Sequence, residues 1–117
     1  MIHGLGSSQS FFLPILPSLK DVRCIIPDPP RAGRSPFAGG KLSIQDIAGI
    51  TYDLLEKLQT NKAIIVGHSG SGTVASDSAA SHPSKTTAVV AIGPVGPNND
   101  AVGIFEKRME IVSKGQF

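Results

Sequence analysis

Ala63-Ile64-Ile65-Val66-Gly67-His68-Ser69-Gly70-Ser71-Gly72 is the stretch that decides the fold. Apolar, mostly β-branched residues lead straight into a serine held between small residues, and an alanine-rich stretch that suits a helix follows. The pattern predicts a strand, a turn too tight for bulky neighbours, and a helix. Such a turn holds the serine in a strained backbone conformation and lifts its Oγ above the end of the sheet. Gly67 and Ser71, two residues before and two after Ser69, leave room for the reversal. The Gly70 amide opens the helix, so it can face a developing oxyanion. This is the geometry of a nucleophilic serine.

Two other readings share a glycine-rich strand-to-helix turn. Gly67 and Gly72 have the outer spacing of a phosphate-cradling P-loop, but Thr73 stands where that loop needs lysine. Gly70-Ser71-Gly72-Thr73-Val74-Ala75 imitates a dinucleotide fingerprint. The acidic residue that should follow about 20 positions on is replaced by Ile92-Gly93-Pro94. A plain structural turn is the remaining alternative.

Length and composition bound these readings. At 117 residues the chain is at most one domain. Its net charge of +2 is small and its basic residues are scattered, which points away from nucleic acid. Cys24 is the one cysteine, so no internal disulfide exists, and its place in Val22-Arg23-Cys24-Ile25-Ile26 predicts a buried core thiol. No apolar run is long enough to span a membrane. Phe11 to Leu19 is apolar, but Pro14 and Pro17 interrupt it and no basic residue precedes it, which argues against a signal peptide. A cytoplasmic location is the expectation.

Outward from the decisive stretch, strands alternate with helices. Met1-Ile2 reads as a strand end before the loop His3-Gly4-Leu5-Gly6, and Phe11 to Leu19 as a short proline-bounded helix. Val22 to Ile26 reads as a strand stopped by Pro27, and Asp28 to Gly40 as a long loop. A helix is predicted from Ser43 to Leu58, with Ser43 and Asp46 forming a capping box. Ile47, Thr51, Leu54, Leu55 and Leu58 would be its buried stripe. A second helix should follow the serine turn, run to about Ser81 and stop at Pro83. Ala88 to Ile92 is a further strand. The strands read as continuous apolar runs, as parallel strands covered on both faces should. The fold class is therefore α/β with a doubly wound sheet.

Three ordered motifs carry a resemblance. His3-Gly4-Leu5-Gly6 resembles the HGxG loop of the α/β-hydrolase family. Asp28-Pro29-Pro30-Arg31-Ala32-Gly33-Arg34-Ser35 resembles that family's D-x-x-G-x-G-x-S loop, with Arg31 in place of a glycine. Gly67-His68-Ser69-Gly70-Ser71-Gly72 resembles its G-H-S-x-G-G elbow, with Ser71 in place of the first trailing glycine. The resemblance covers nearly the whole chain. Within the family the chain looks most like 3-oxoadipate enol-lactonases and related small esterases. That likeness rests on His3 to Ser8, on Gly93-Pro94-Val95-Gly96-Pro97, and on the later Arg108, Val112 and Gly115.

The resemblance implies a partial α/β-hydrolase fold, a mostly parallel sheet with helices on both faces. It implies that N-terminal strands and the C-terminal part are lacking, so the chain is expected to be truncated at both ends. Residues 1–117 would form a single partial core, with 1–96 as the core segment and 97–117 as the start of a cap. The missing third strand would either leave Val22–Ile26 and Ile64–Val66 apart with only residues 1–3 between them or let them collapse into a pairing foreign to the family. The family's role for Ser69 is nucleophile, and the backbone N–H groups of Leu5 and Gly70 would form the oxyanion hole. Gly4 and Gly6 would let the loop backbone approach the substrate, and His3, Gly4 and His68 would support the loop and the elbow. The substrate would be a small carboxylic ester or lactone, with no cofactor, metal, nucleic acid or membrane involved.

The base is the missing part. Of the chain's histidines, His3 belongs to the oxyanion loop, His68 is turned away by the elbow, and His82 ends a helix. The family's catalytic histidine and acid would lie beyond residue 117, although some relatives place an acid where Asp100 stands. An amphipathic face of Val102, Phe105, Met109 and Val112 is either the start of the cap or a helix packed on the sheet. A serine hydrolase, incomplete as this chain, is the expectation. The alternative is a non-catalytic, truncated remnant of the fold or a small-molecule-binding protein.

Overall fold

A computed structural model of the chain describes residues 1–96 and, beyond them, positions 103, 106, 107, 110, 111 and 113–115. Asp100 and the face formed by Val102, Phe105, Met109 and Val112 lie outside the described residues. A 3-10 segment, Gln9–Ser18, comes first, followed by α1 (Ile44–Lys57), β1 (Ala63–His68), α2 (Gly70–Ser81) and β2 (Thr86–Ile92). Pro14 and Pro17 interrupt the first segment, which accounts for its tight 3-10 turns in place of an α-helix.

The sheet has two parallel strands, β1 and β2, in register from Ile64 beside Ala88 to His68 beside Ile92. A parallel pair needs a crossover, and α2 supplies it. At the other edge of β1 the chain's first residues make one parallel bridge, Ile2 to Gly67. Ile2 N–H donates to the Val66 carbonyl at 2.7 Å, and His68 N–H donates to the Ile2 carbonyl at 3.0 Å. The Met1 amine donates to the Ile25 carbonyl at 2.7 Å. Residues 1 and 2 thus lie between Val22–Ile26 and β1, the first of the two expected arrangements and not the collapsed pairing.

Val22–Ile26 does not form the expected strand. A strand exists only through a ladder, and Met1-Ile2 is too short a neighbour to provide one. Between this run and the first residues of β1 lies a cavity of about 680 Å³. Cys24 lines it and is half-buried, so it is not the buried core thiol expected from its neighbours. The sheet is also barer than continuous apolar runs suggest. Ile64 is 54% exposed, and most of β2 is exposed.

The capping box forms as expected. Ser43 Oγ accepts from the Asp46 amide at 3.1 Å, and the Asp46 carboxylate accepts from the Ser43 amide at 2.7 Å. The Ser43 amide and then the Ser43 hydroxyl, both donating to the Asp46 carboxylate, hold that carboxyl below its usual pKa. Of the expected stripe only Leu55 is buried, and Ala48 and Tyr52 join it in place of the others. Thr51 and Leu54 are half-buried beside that cavity, Ile47 is half-buried against the core, and Leu58 is exposed. The reason is the partner. α1 packs on α2, so the residues facing α2 are buried, while the residues facing the incomplete sheet have less to cover them. The core is Ile2, Ala48, Tyr52, Leu55, Ile65, Val74 and Ala75.

Candidate active site

The site is built at the His68 end of β1. Ser69 has φ 56° and ψ −128°, a conformation that L-residues rarely adopt. Its neighbours hold it there. Ser69 N–H donates to the Ile92 carbonyl at 2.9 Å, and the Ser69 carbonyl accepts from Gly72 N–H at 2.9 Å. Gly67 cannot carry a side chain, because a Cβ there would lie 2.0 Å from the Ser71 carbonyl oxygen. Chain reversal in this space therefore demands the glycine and strains the serine. α2 begins at Gly70, so the positive end of the helix dipole faces the turn.

The loop after Ile2 lies against this turn. Gly4 is buried, and a Cβ on it would come within 3.0 Å of both Ser69 Cβ and His68 Nδ1. The glycine permits that approach. Gly6, at φ 75°, then turns the chain, and Leu5 is 55% exposed at the mouth. Among the described residues, neither the Leu5 amide nor the Gly70 amide donates to another protein group. Ser69, Gly70, Gly4, Leu5 and His68 are thus brought together.

His3 is 3% exposed and supports the loop from below. One ring nitrogen, Nδ1, is 2.9 Å from the Gly4 carbonyl, and the other, Nε2, is 3.2 Å from Asp28 Oδ1. Asp28 also accepts from the Gln9 amide at 2.7 Å and the Arg34 amide at 3.1 Å. The Arg34 and Gln9 amides, then His3, hold the Asp28 carboxyl below its usual range. Gly33, at φ 51°, closes around that carboxylate, and a Cβ there would sit 2.1 Å from Asp28 Oδ2. Arg31 occupies the left-handed region at φ 69°, where the family motif has glycine. Its guanidinium donates to the Gly39 and Gly40 carbonyls at 2.6 and 2.8 Å and lies over the Phe37 ring.

None of the histidines hydrogen-bonds to Ser69. His68 stacks on Phe11 at 4.3 Å, with Nδ1 buried and unpartnered, and His82 stacks on Tyr52 at 3.9 Å. Among the described residues no cluster of three His, Cys, Asp or Glu side chains comes together to hold a metal. No described helix is long and apolar enough to cross a membrane. Thr73, where a P-loop has lysine, donates its hydroxyl to the Val95 carbonyl at 3.1 Å. Two partners escaped the sequence reading: the hub role of Asp28, signalled only by its motif, and the contact of Phe11 with His68.

Similarity to known proteins agrees with this architecture. The uncharacterized hydrolase YugF of Bacillus subtilis is 33% identical over 91 residues, 76% of this chain and 33% of that protein. A marine microorganism esterase superposes with a TM-score of 0.81 at 25% identity, over 99% of this chain and 46% of that one. A probable hydrolytic enzyme from Pseudomonas aeruginosa PAO1 superposes with a TM-score of 0.74 at 25% identity, over 86% of this chain and 33% of that one. The chain therefore spans a third to a half of the length of these relatives. The alpha/beta hydrolase fold family model matches residues 1–113. With a strained strand-to-helix turn at Ser69, a parallel crossover beside it and a family match over residues 1–113, the chain belongs to the α/β-hydrolase family.

Proposed function

We propose that Ser69 is the nucleophile of a serine hydrolase that cleaves a small carboxylic ester or lactone. The observation that carries this reading is the strained Ser69 backbone, at φ 56°, with Gly4 pressed against it. Strain at one residue between a strand and a helix is kept only where the surroundings enforce it, and here it presents a hydroxyl. Ser69 Oγ attacks the carbonyl carbon as its proton passes to a base. The carbonyl oxygen becomes an oxyanion, which the Leu5 and Gly70 amides receive. The C–O bond to the leaving alcohol then breaks, the alcohol takes up a proton, and water hydrolyses the acyl-Ser69 ester. Each oxyanion donor contributes about 3–4 kcal/mol to such a step.

All the chain's histidines are engaged away from Ser69, so a histidine base has to come from outside these 117 residues. The chain alone is therefore a poor catalyst. The second reading is a hydrolase-fold protein that binds a small molecule without turning it over. The test is prolonged exposure to a fluorophosphonate at alkaline pH, followed by peptide mass mapping. Modification at Ser69, lost in Ser69→Ala, is the expected result. Modification that survives the substitution, or none at Ser69, overturns the assignment.

A further inference from the structure

The Leu5 amide faces a problem of direction. It belongs to the Gly4–Leu5 peptide, and glycine leaves that peptide free to rotate. An amide that rotates is a poor oxyanion donor, because the benefit of such donors comes from being aimed beforehand. The structure holds both neighbouring carbonyls. The Gly4 carbonyl accepts from His3 Nδ1–H at 2.9 Å and from Ser7 N–H at 3.3 Å. The His3 carbonyl accepts from Ser71 Oγ–H at 2.7 Å. No described peptide is cis, so the Leu5 N–H points opposite to the fixed Gly4 carbonyl.

These bonds lead to two residues outside the reaction itself. Ser71 is the second residue of α2, so its hydroxyl fastens the loop to the helix end that presents the Gly70 amide. Asp28 holds the His3 ring from the far side at 3.2 Å. Both partners of the ring, the Gly4 carbonyl and the Asp28 carboxylate, are acceptors, so a ring nitrogen bonds its partner by donating. Asp28 is itself tied to the Gln9 and Arg34 amides, which fixes its position against the ring. Glycine at position 71 could not make the bond to His3, so the departure from the family motif supplies a clamp.

We propose that Ser71 and Asp28 are positioning residues that aim the Leu5 amide at the oxyanion through the His3 carbonyl and ring. This rests on the reading of Ser69 as nucleophile and Leu5 as donor. Phenylboronic acid is the probe, since its tetrahedral adduct on a serine Oγ carries an anionic oxygen. Binding is followed by ¹H–¹⁵N spectra of the 117-residue chain, with the Val74 and Ala75 amides reporting whether the core is intact. In the wild type the adduct should shift the Leu5 and Gly70 amides. Ser71→Ala should move the Leu5 amide in the free protein and weaken boronate binding on the order of fivefold, the worth of one neutral hydrogen bond. Ser71→Thr, which keeps the hydroxyl, should restore both. Asp28→Asn should weaken binding about tenfold, as for a hydrogen bond to a charged group, and change the ¹⁵N signature of the His3 ring.

The outcomes separate the two ideas. If boronate shifts neither Leu5 nor Gly70 in the wild type, the oxyanion reading fails, and the clamp is still decided by the free-protein position of the Leu5 amide in the variants. If Ser71→Ala leaves that amide and the affinity unchanged with an intact core, the clamp is overturned. It is equally overturned if Ser71→Thr behaves like Ser71→Ala. Where Ser71→Ala fails to fold, Ser71→Gly gives the same reading with no side chain to accommodate.

Discussion

The two ends of β1 differ more than any other two regions of the molecule. At the His68 end the strand is gripped on both edges. Ile2 bonds to Val66 and His68 on one side, and Ser69 bonds to Ile92 on the other. Helix, loop and strand meet there around glycines that admit no side chain. At the Ala63 end the strand has β2 on one edge and a cavity of about 680 Å³ on the other. Val22 and Ile64 are left 59% and 54% exposed beside it. The comparison teaches that the elbow is shaped by short-range steric demands and a few hydrogen bonds, so it forms beside a poorly covered sheet. The sheet depends on ladders between distant segments, and where a ladder is short the apolar run beside it stays without regular structure.

The difference can be broken most severely at Gly67. Gly67→Ala puts a Cβ 2.0 Å from the Ser71 carbonyl oxygen and 2.8 Å from Gly72 N, both backbone atoms that cannot swing away. A loss of roughly 3 kcal/mol or more is expected, at the upper end of overpacking costs. Urea unfolding read by circular dichroism checks it, and a wild-type midpoint would mean that the elbow is looser than its geometry implies.

A paired substitution sharpens the contrast along the strand. Ile65 is 4% exposed in the core and Ile64 is 54% exposed beside the cavity. Ile65→Ala should cost about 2–4 kcal/mol through lost burial and a residual void. Ile64→Ala should cost less than about 1 kcal/mol. Equal losses in the two urea titrations would show that the Ala63 end is as well packed as the other.

The smallest effect expected is a pH dependence at the loop. The folded-state pKa of Asp28 lies below its unfolded value, because the Arg34 and Gln9 amides and His3 favour the carboxylate. Its contribution to stability is then fully present above the unfolded pKa of about 4 and fades as pH falls through the lower folded value. Melting temperatures recorded downward from pH 6 should show an acid-side fall that Asp28→Asn makes shallower. Asp46 and Glu56, whose carboxyls are also held below their usual range, leave a residual slope in the variant. An unchanged slope would remove Asp28 from the account of the loop.

The sequence by itself determined the local elements and their order. The capping box of Ser43 and Asp46, the elbow at Ser69, the stop before Pro83 and the alternation of strand and helix all follow from chemistry within a few residues. Turn sterics and helix periodicity act over that range, and so they can be read directly. Three motifs in order were enough for the family. Tertiary structure alone decided which stripe of α1 is buried, because that depends on α2 being its neighbour. It alone decided that Val22–Ile26 carries no ladder and that His68 stacks on Phe11. It also decided the support of the candidate site. The bonds from His3 to Asp28 and from Ser71 to His3 join residues 25 and 68 positions apart. No periodicity spans such separations; only the folded path of the chain brings a carboxylate beneath the ring and a hydroxyl beside the carbonyl that the loop must hold still.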